Sequence, residues 1–282
     1  MAHLGEIGDA LRAARWTWLA AAALASAATY PMAAVQLIGA AGTRLPAGRT
    51  IAAQVASAVG GLLAPGGIGG AGVNVRYLER SGMGQAESVA AVTLASTAGF
   101  AVHVAALVTL GGILTGTGVP PIPVPSRWIL LAVVIGIATL AGAVAWSPIG
   151  HRRPPTPVRE MALSLWDVLR RPRQAVLLLA GSTGVTAGYV LALWCSLRAF
   201  GEQPPPLEVA VAYLAGAAVG AASPTPGGLG AVDAALTGAL IRFSVPAGTA
   251  VAAVLAFRFA TYWLPAVPGA VDFRALRRRG SL

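Results

Sequence analysis

The stretch Pro224-Thr225-Pro226-Gly227-Gly228-Leu229-Gly230-Ala231-Val232-Asp233 separates two uncharged apolar segments, residues 209–223 and 234–241. Proline removes a backbone donor and glycine permits positive φ, so the stretch predicts that one helix ends here and another begins. At membrane depth an irregular backbone survives only where protein or a water-filled cavity surrounds it. A broken helix with a carboxylate just beyond the break is typical of a site for charged groups inside a membrane protein.

A second break of the same kind lies in the first half of the chain. Pro65-Gly66-Gly67-Ile68-Gly69-Gly70 also interrupts an apolar segment of small residues. This recurrence indicates an internal repeat, in which each half is a span, a broken hairpin and a further span. We expect a single transmembrane domain made of repeat 1 at about 16–116, a connecting span at 127–147, a cytoplasmic linker at 148–173, repeat 2 at about 174–270 and a basic tail at 271–282.

The composition predicts an all-α polytopic membrane protein. Of the 282 residues, 56% are hydrophobic and 11% are charged, whereas a soluble domain carries roughly 25% charged residues. All 20 basic residues are arginine, and most lie at the ends of apolar segments, where they would meet anionic headgroups. The net charge of +10 is therefore not taken as a sign of nucleic-acid binding.

The hairpin arms are shorter than the roughly 20 residues that cross a bilayer, so we expect both hairpins to be re-entrant. Five segments then cross, near 16–41, 86–116, 127–147, 174–198 and 249–270. With the arginine-rich linker in the cytoplasm, the C-terminus is cytoplasmic and the N-terminus external. The two repeats are then inverted, and their hairpins enter from opposite sides of the membrane. Hairpins that cross completely, for nine spans in total, are the alternative.

Longer motifs surround both breaks. The second comprises residues 223–236 (SPTPGGLGAVDAAL), Phe257-Arg258 and Thr261-Tyr262-Trp263-Leu264-Pro265. The first comprises PGGIGG at 65–70 with Asn74 and Arg76-Tyr77-Leu78. Together they resemble the lysylphosphatidylglycerol synthase transmembrane-region family, which consists of flippase-like integral membrane proteins. The resemblance extends from about residue 4 to residue 279, and it implies lipid translocation in a bacterial plasma membrane without specifying the lipid.

The chain departs from this family in two respects. Members usually carry one further N-terminal span, so we expect a span upstream of residue 1, in agreement with the external N-terminus. The acidic position of the second motif is often Glu and is Asp233 here. The synthases also carry a soluble domain that takes lysine from a transfer RNA, and the dozen residues after Ala270 are too few for it. The sequence also shows no paired carboxylates, metal-ligand cluster or nucleophile–base set. We therefore predict that this chain is not an enzyme and has no cofactor or metal, and a membrane-bound transferase is the last-ranked alternative.

Asp233 and Arg258 are the strongest candidates for a binding site. A carboxylate in hydrocarbon costs about 2.5–3.5 kcal/mol on insertion scales, so Asp233 should face a partner or a cavity. Arg258 is the charged residue well inside the last span, and we predict that the two pair or line one cavity. In the functional interpretation Arg258 holds a lipid phosphate through bidentate hydrogen bonds. In the structural one, the ion pair locks the hairpin to the last span.

The glycines of both breaks are candidates to bind phosphate through backbone N–H groups, although glycines also permit close helix packing. Asn74 and Arg76 either guide a headgroup or anchor the first hairpin, and His103 is either a proton carrier or a hydrogen-bonded structural residue. The predicted substrate-binding residues are Asp233, Arg258, Gly227, Gly228, Gly230, Gly66, Gly67, Gly69, Asn74 and Arg76.

The function predicted from these features is a flippase-like translocation of a phosphorylated or aminoacylated (glyco)lipid headgroup. The expected partners are membrane lipids with anionic or phosphorylated headgroups, with no nucleic acid, and self-association into a homo-oligomer is left open. An ion-coupled transporter of small solutes, built on the same inverted frame, is the alternative.

Overall fold

A computed structural model describes residues 14–63, 68–116, 170–221, 225, 228–266 and 269. All secondary structure in these ranges is helical, which confirms the all-α prediction. The predicted connecting span, most of the linker and the basic tail lie outside the described residues. The eight described α-helices are α1 (Trp16–Ala41), α2 (Ala47–Leu63), α3 (Ile68–Arg80), α4 (Gln85–Gly116), α5 (Pro172–Ala199), α6 (Pro206–Ala221), α7 (Ala231–Arg242) and α8 (Ala247–Arg258).

Both predicted breaks are present. α2 ends before the first Pro-Gly-Gly sequence and α3 begins after it, while α6 and α7 flank the second. The arms of each pair pack against each other, so α2 with α3 forms hairpin 1, and α6 with α7 forms hairpin 2. The arms contain 17 and 13 residues in hairpin 1, and 16 and 12 in hairpin 2. At 1.5 Å per residue, none reaches the roughly 30 Å of a hydrocarbon core.

Three described helices are long and apolar enough to cross a membrane: α1, α4 and α5, with 26, 32 and 28 residues. They match three of the predicted crossings. The predicted crossing at 249–270 begins as α8 and continues as a π-helical turn, Phe259–Trp263. Nothing in its sequence had indicated this change of helix type, which widens the backbone directly after Arg258.

α1 and α5 share the most extensive helix contact in the described structure, and they run antiparallel. The Arg15 N–H donates to the Ala199 carbonyl (2.8 Å) at one end, and Gln174 Nε2 donates to the Gly42 carbonyl (3.1 Å) at the other. Glycine makes this approach possible, because a Cβ on Gly39 would lie 2.5 Å from the Leu178 nitrogen. Small residues that let backbones approach are the usual basis of helix association in membranes.

The remaining contacts between the two halves are reciprocal. α4, the last helix of the first half, packs on α5 and on the first arm of hairpin 2. In the opposite direction, the end of the last span contacts the first half. The π-helical turn packs on α1. A Cβ on Gly269 would lie 2.7 Å from the Val55 carbonyl oxygen, so Gly269 packs closely against hairpin 1. Each hairpin is therefore held by helices of both halves.

α6 is buried on nearly all sides, although it is one of the shortest apolar helices. Val209, Ala212 and Leu214 are at most 1% exposed, and they belong to the largest core cluster with Leu236 of α7 and Leu197 of α5. A helix that is apolar all round belongs in the interior of a bundle. The end of α6 and the turn that follows are less buried, with Val219 and Leu229 44% and 38% exposed. Hairpin 2 is thus anchored in the core by the middle of α6 and carries Asp233 at its more open end.

Candidate ion-pair site at the second hairpin

The turn before α7 is held in a conformation that glycine allows. Gly228 and Gly230 have φ of 66° and 81°, in the left-handed region that glycine tolerates best. A Cβ on Gly228 would also lie 2.6 Å from the Val232 side chain. The Gly228 N–H donates to the Thr225 carbonyl at 3.0 Å, which closes the turn.

Asp233 occupies the third position of α7 and uses both carboxylate oxygens. Oδ2 accepts a hydrogen bond from the Gly230 N–H at 2.9 Å, which caps the helix N-terminus. Oδ1 accepts one from Arg258 Nε at 2.5 Å. The predicted pairing of Asp233 with Arg258 is therefore present. A carboxylate in the first turn of a helix is further stabilised by the helix dipole.

Arg258 ties the turn to the last span. Its Nη2 donates to the Gly228 carbonyl at 3.3 Å, and its guanidinium lies 5.5 Å from the ring centre of Tyr262. The Arg258 side chain is 12% exposed and that of Asp233 is 30% exposed. The pair is thus more enclosed on the arginine side and more accessible on the carboxylate side.

Aromatic side chains build a wall beside the ion pair. Tyr189 of α5 stacks on Tyr213 of α6 with ring centres 5.9 Å apart, and Tyr213 meets Phe257 edge to face at 6.1 Å. Phe257 directly precedes Arg258 in α8, so this cluster lies next to the ion pair. Tyr189 and Tyr213 are not among the predicted site residues. The signal available was that each is an isolated tyrosine in an otherwise apolar segment.

Comparison with known protein families identifies the family of this chain. The model of the family described as "Lysylphosphatidylglycerol synthase TM region" matches residues 2–269, which is nearly the whole chain. The chain belongs to this family. The membership identifies it as a membrane protein of a family with a lipid-related function, and the earlier resemblance is confirmed. A search of curated proteins returned no match.

Hairpin 1 of this family member is closed by uncharged hydrogen bonds, in contrast to the ion pair of hairpin 2. Gln54 Nε2 donates to Asn74 Oδ1 at 3.0 Å, and the Thr50 and Tyr77 hydroxyls are hydrogen-bonded at 2.8 Å. Asn74 thus joins the two arms. A Cβ on Gly60 would lie 2.6 Å from the Gly69 carbonyl oxygen, so the arms approach closely here because position 60 is glycine.

Arg76 takes no part in the hydrogen bonds that join the two arms. Its side chain is 53% exposed and pairs with Glu79, three residues along the same helix, at 3.2 Å. Such a surface pair contributes little to stability. Both Asn74 and Arg76 have contacts within hairpin 1 that suit anchoring. Neither is brought to the Asp233–Arg258 pair by any contact that the structure describes.

His103 links the two halves of the protein. Its Nε2 lies 3.0 Å from the Leu214 carbonyl of α6, so the ring donates a hydrogen bond from α4 to hairpin 2. The ring also meets Tyr213 edge to face, with centres 5.9 Å apart. This geometry fits the hydrogen-bonded structural role that was weighed for His103 above.

Three predicted site residues, Gly66, Gly67 and Gly227, lie outside the described residues. At Gly228 and Gly230 the N–H groups have internal partners, so an anion that used the Gly230 N–H would have to displace Asp233. Within the described ranges, no group of three or more His, Cys, Asp or Glu side chains has the arrangement of a metal site.

Proposed function

We propose that this protein translocates a phosphorylated or aminoacylated lipid headgroup across the cytoplasmic membrane, and that Arg258 binds the anionic group. The observation that carries the proposal is the Asp233–Arg258 pair at the broken end of hairpin 2. Charged side chains within membrane segments are costly and commonly mark a substrate pathway. Membership of a lipid-related membrane family supports a lipid as the substrate.

The packing supports an inverted arrangement of the two halves. α1 and α5, which open them, are antiparallel, and the arms of the two hairpins differ in length by only one residue each. Because α1 and α5 run in opposite directions, the loops that lead into hairpins 1 and 2 lie at opposite ends of this helix pair. We infer that the hairpins re-enter from opposite sides, as in transporters built from inverted repeats.

The proposed mechanism is an exchange of anions at Arg258. In the described state Asp233 supplies the negative charge beside the guanidinium. A lipid phosphate would replace the carboxylate with bidentate, charge-assisted hydrogen bonds, so Arg258 keeps an anionic partner throughout. The displaced Asp233 is 30% exposed and keeps its helix cap, which lowers the cost of releasing it.

Release of Asp233 also breaks the ion pair that connects the turn of hairpin 2 to the last span. Arg258 contacts both the Asp233 carboxylate and the Gly228 carbonyl, so withdrawal of the guanidinium loosens hairpin 2 from α8. The π-helical turn that follows Arg258 is a helix type frequent at functional sites, and it provides a place where the span can adjust. Headgroup binding and hairpin movement are thereby coupled through one side chain.

The test is a flip assay with the full chain in phosphatidylcholine vesicles. Fluorescent phosphatidylglycerol, lysylphosphatidylglycerol and phosphatidylethanolamine serve as probes, and dithionite quenches the outer leaflet. We expect at least one probe to flip faster than in protein-free vesicles, and Arg258→Gln to return that rate to the protein-free value. Arg173→Gln, at the exposed start of α5, is the matched control and keeps the rate.

Equal rates with and without protein for all three probes would overturn the proposal. A wild-type rate that survives Arg258→Gln would leave Arg258 with only the structural role. The ion-coupled solute transporter is a second candidate, favoured by the partial exposure of Asp233. It predicts solute uptake that collapses with the proton gradient and in Asp233→Asn, and no lipid flipping.

A further inference from the structure

An apolar groove of about 430 Å³ lies between α4, α5 and α6. Ala106, Ala187 and Ala210 line it with small side chains, one from each helix, while Leu110, Leu191 and Trp194 are among its larger lining residues. No charged residue lines it, and its lining shares no residue with the Asp233–Arg258 pair. The groove is therefore a separate feature of the molecule.

Two of the three helices that form the groove are candidate membrane spans. The lining residues of α4 and α5 lie well inside these helices, in the ranges 102–110 and 183–194. A groove at this position contacts hydrocarbon and not water. Because lipid tails are as apolar as the lining, the groove can hold an acyl chain by packing, but it supplies no hydrophobic driving force of its own. Affinity has to come from a headgroup contact.

A cation lies beside one end of the groove. Trp194, which lines it, donates from Nε1 to the Pro204 carbonyl at 3.3 Å. The Arg198 guanidinium lies 4.8 Å from the Trp194 ring centre and 5.0 Å from that of Trp18. Among the described residues, no carboxylate forms a salt bridge with Arg198. The two indoles hold the guanidinium in place, one ring away from the groove, at the end of α5.

We propose that Arg198 and this groove bind one anionic phospholipid, with the phosphate at Arg198 and an acyl chain along α4, α5 and α6. Tryptophan and arginine together at a helix end are typical of the level of lipid headgroups. An acyl chain that descends from that level passes directly along the span. This lipid occupies a site of its own, so the inference stands independently of translocation at Arg258.

The experiment uses the purified full chain and two photoactivatable lipids with a diazirine in the acyl chain, phosphatidylglycerol and phosphatidylcholine. Peptide mapping then locates the crosslinks. We expect crosslinks within 183–194 of α5, with phosphatidylglycerol favoured about fivefold, the effect of one basic residue at an anionic surface. Arg198→Gln removes the preference, whereas Arg198→Lys and Arg173→Gln keep it.

A second variant pair tests the groove itself. Ala187→Phe fills it and is expected to remove these crosslinks for both lipids, while Ala180→Phe, on an exposed position of the same helix outside the lining, leaves them in place. Unchanged melting temperatures show that the variants fold. Equal labelling by the two lipids, crosslinks unaffected by Ala187→Phe, or displacement of the lipid by inorganic phosphate at a similar concentration would overturn the proposal.

Discussion

Hairpins 1 and 2 have nearly the same shape but are fastened differently. In hairpin 1 the two arms are joined to each other by uncharged hydrogen bonds, Gln54 to Asn74 and Thr50 to Tyr77. In hairpin 2 the turn is joined to a neighbouring span by the Asp233–Arg258 pair. The hydrogen bonds of hairpin 1 close that hairpin on itself, whereas the ion pair holds hairpin 2 to a different helix. In the proposed mechanism, a substrate anion replaces the carboxylate of this pair.

The positions of the two charges in the second half can be compared with the corresponding positions in the first half. Counted from the starts of their helices, Asp233 of α7 corresponds to Gly70 of α3, and Arg258 of α8 corresponds to Ser96 of α4. The two charges are thus absent at the equivalent places in the first half. The described structure thus has this interior charge pair in hairpin 2 and not at the corresponding positions of hairpin 1, so we expect hairpin 2 to bind the substrate and hairpin 1 to serve as its rigid counterpart.

The largest expected effect is the difference in lipid-flipping rate between a variant of the ion pair in hairpin 2 and a variant of the hydrogen bonds in hairpin 1. A hydrogen bond to a charged group contributes about 1.5–3 kcal/mol, so Arg258→Gln should slow lipid flipping by at least about tenfold, down to the protein-free rate. Asn74→Ala removes a neutral hydrogen bond from hairpin 1 and should change the rate less than about twofold. Dithionite quenching of the probe that wild-type protein flips fastest measures both. An equal loss in the two variants would contradict the division of roles.

The next effect concerns stability and the way each hairpin is closed. A Cβ on Gly60 would meet the backbone of Gly69 at 2.6 Å, whereas one on Gly216 would meet the end of the Leu236 side chain at 2.6 Å. The Gly69 backbone cannot move without shifting its helix, whereas the Leu236 side chain can change rotamer. Gly60→Ala should therefore cost about 1–3 kcal/mol, the usual cost of overpacking, and Gly216→Ala less.

Thermal unfolding in detergent, followed by circular dichroism, compares these two glycine variants. Gly48→Ala is the control, because nothing lies within 4 Å of a Cβ built at that exposed helical position. A melting temperature that falls more for Gly216→Ala than for Gly60→Ala would show that hairpin 2, and not hairpin 1, has the tighter backbone packing.

A smaller effect is expected for the buried hydroxyl contact of hairpin 1. Tyr77→Phe removes its hydrogen bond to Thr50, where Tyr77 is 2% exposed, and should lower stability by about 1 kcal/mol. Flipping should remain at the wild-type rate, since the bond lies within one hairpin. Unfolding and flip assays on the same preparation check this. Lost flipping with unchanged stability would give hairpin 1 a direct part in transport.

The smallest effect is expected at the surface of hairpin 1. Arg76 is 53% exposed and pairs only along its own helix with Glu79 among the described contacts, so Arg76→Gln should change stability by less than about 0.5 kcal/mol. Its flip rate decides between the two roles weighed for this residue. An unchanged rate fits anchoring, whereas a reduced rate at full stability would show that Arg76 guides the headgroup.

The helix breaks and the Asp233–Arg258 pair could be predicted because each has a strong local cause. Pro-Gly-Gly ends a helix whatever surrounds it, and two opposite charges inside apolar segments have to find partners. The π-helical turn and the contact of Tyr189 with Tyr213 could not be predicted. They depend on how α5, α6 and the last span pack together, which leaves no periodic signal in the chain.

The glycines were harder to interpret for the same reason. Sequence alone left phosphate binding and close packing open for Gly69 and Gly228, and the difference depends on which atoms lie within a few ångströms. The Gly69 backbone lies against Gly60, which is the position where a Cβ would clash, and Gly228 combines a positive φ with a close contact to Val232. Close packing therefore accounts for Gly228, while the role of either Gly69 or Gly228 toward a ligand stays a prediction.

The proposed translocation requires hairpins that enter from opposite sides of the membrane, and cysteine labelling tests this directly. The chain has one cysteine, Cys195, which is 3% exposed, so background labelling is low and Cys195→Ser removes it. In that background, Gly48→Cys marks the start of hairpin 1 and Gln203→Cys marks the loop before hairpin 2, both at exposed positions. With an impermeant maleimide on intact cells, we predict that Gln203→Cys is labelled and that Gly48→Cys is labelled only after permeabilisation. Labelling of both from the same side would contradict the account.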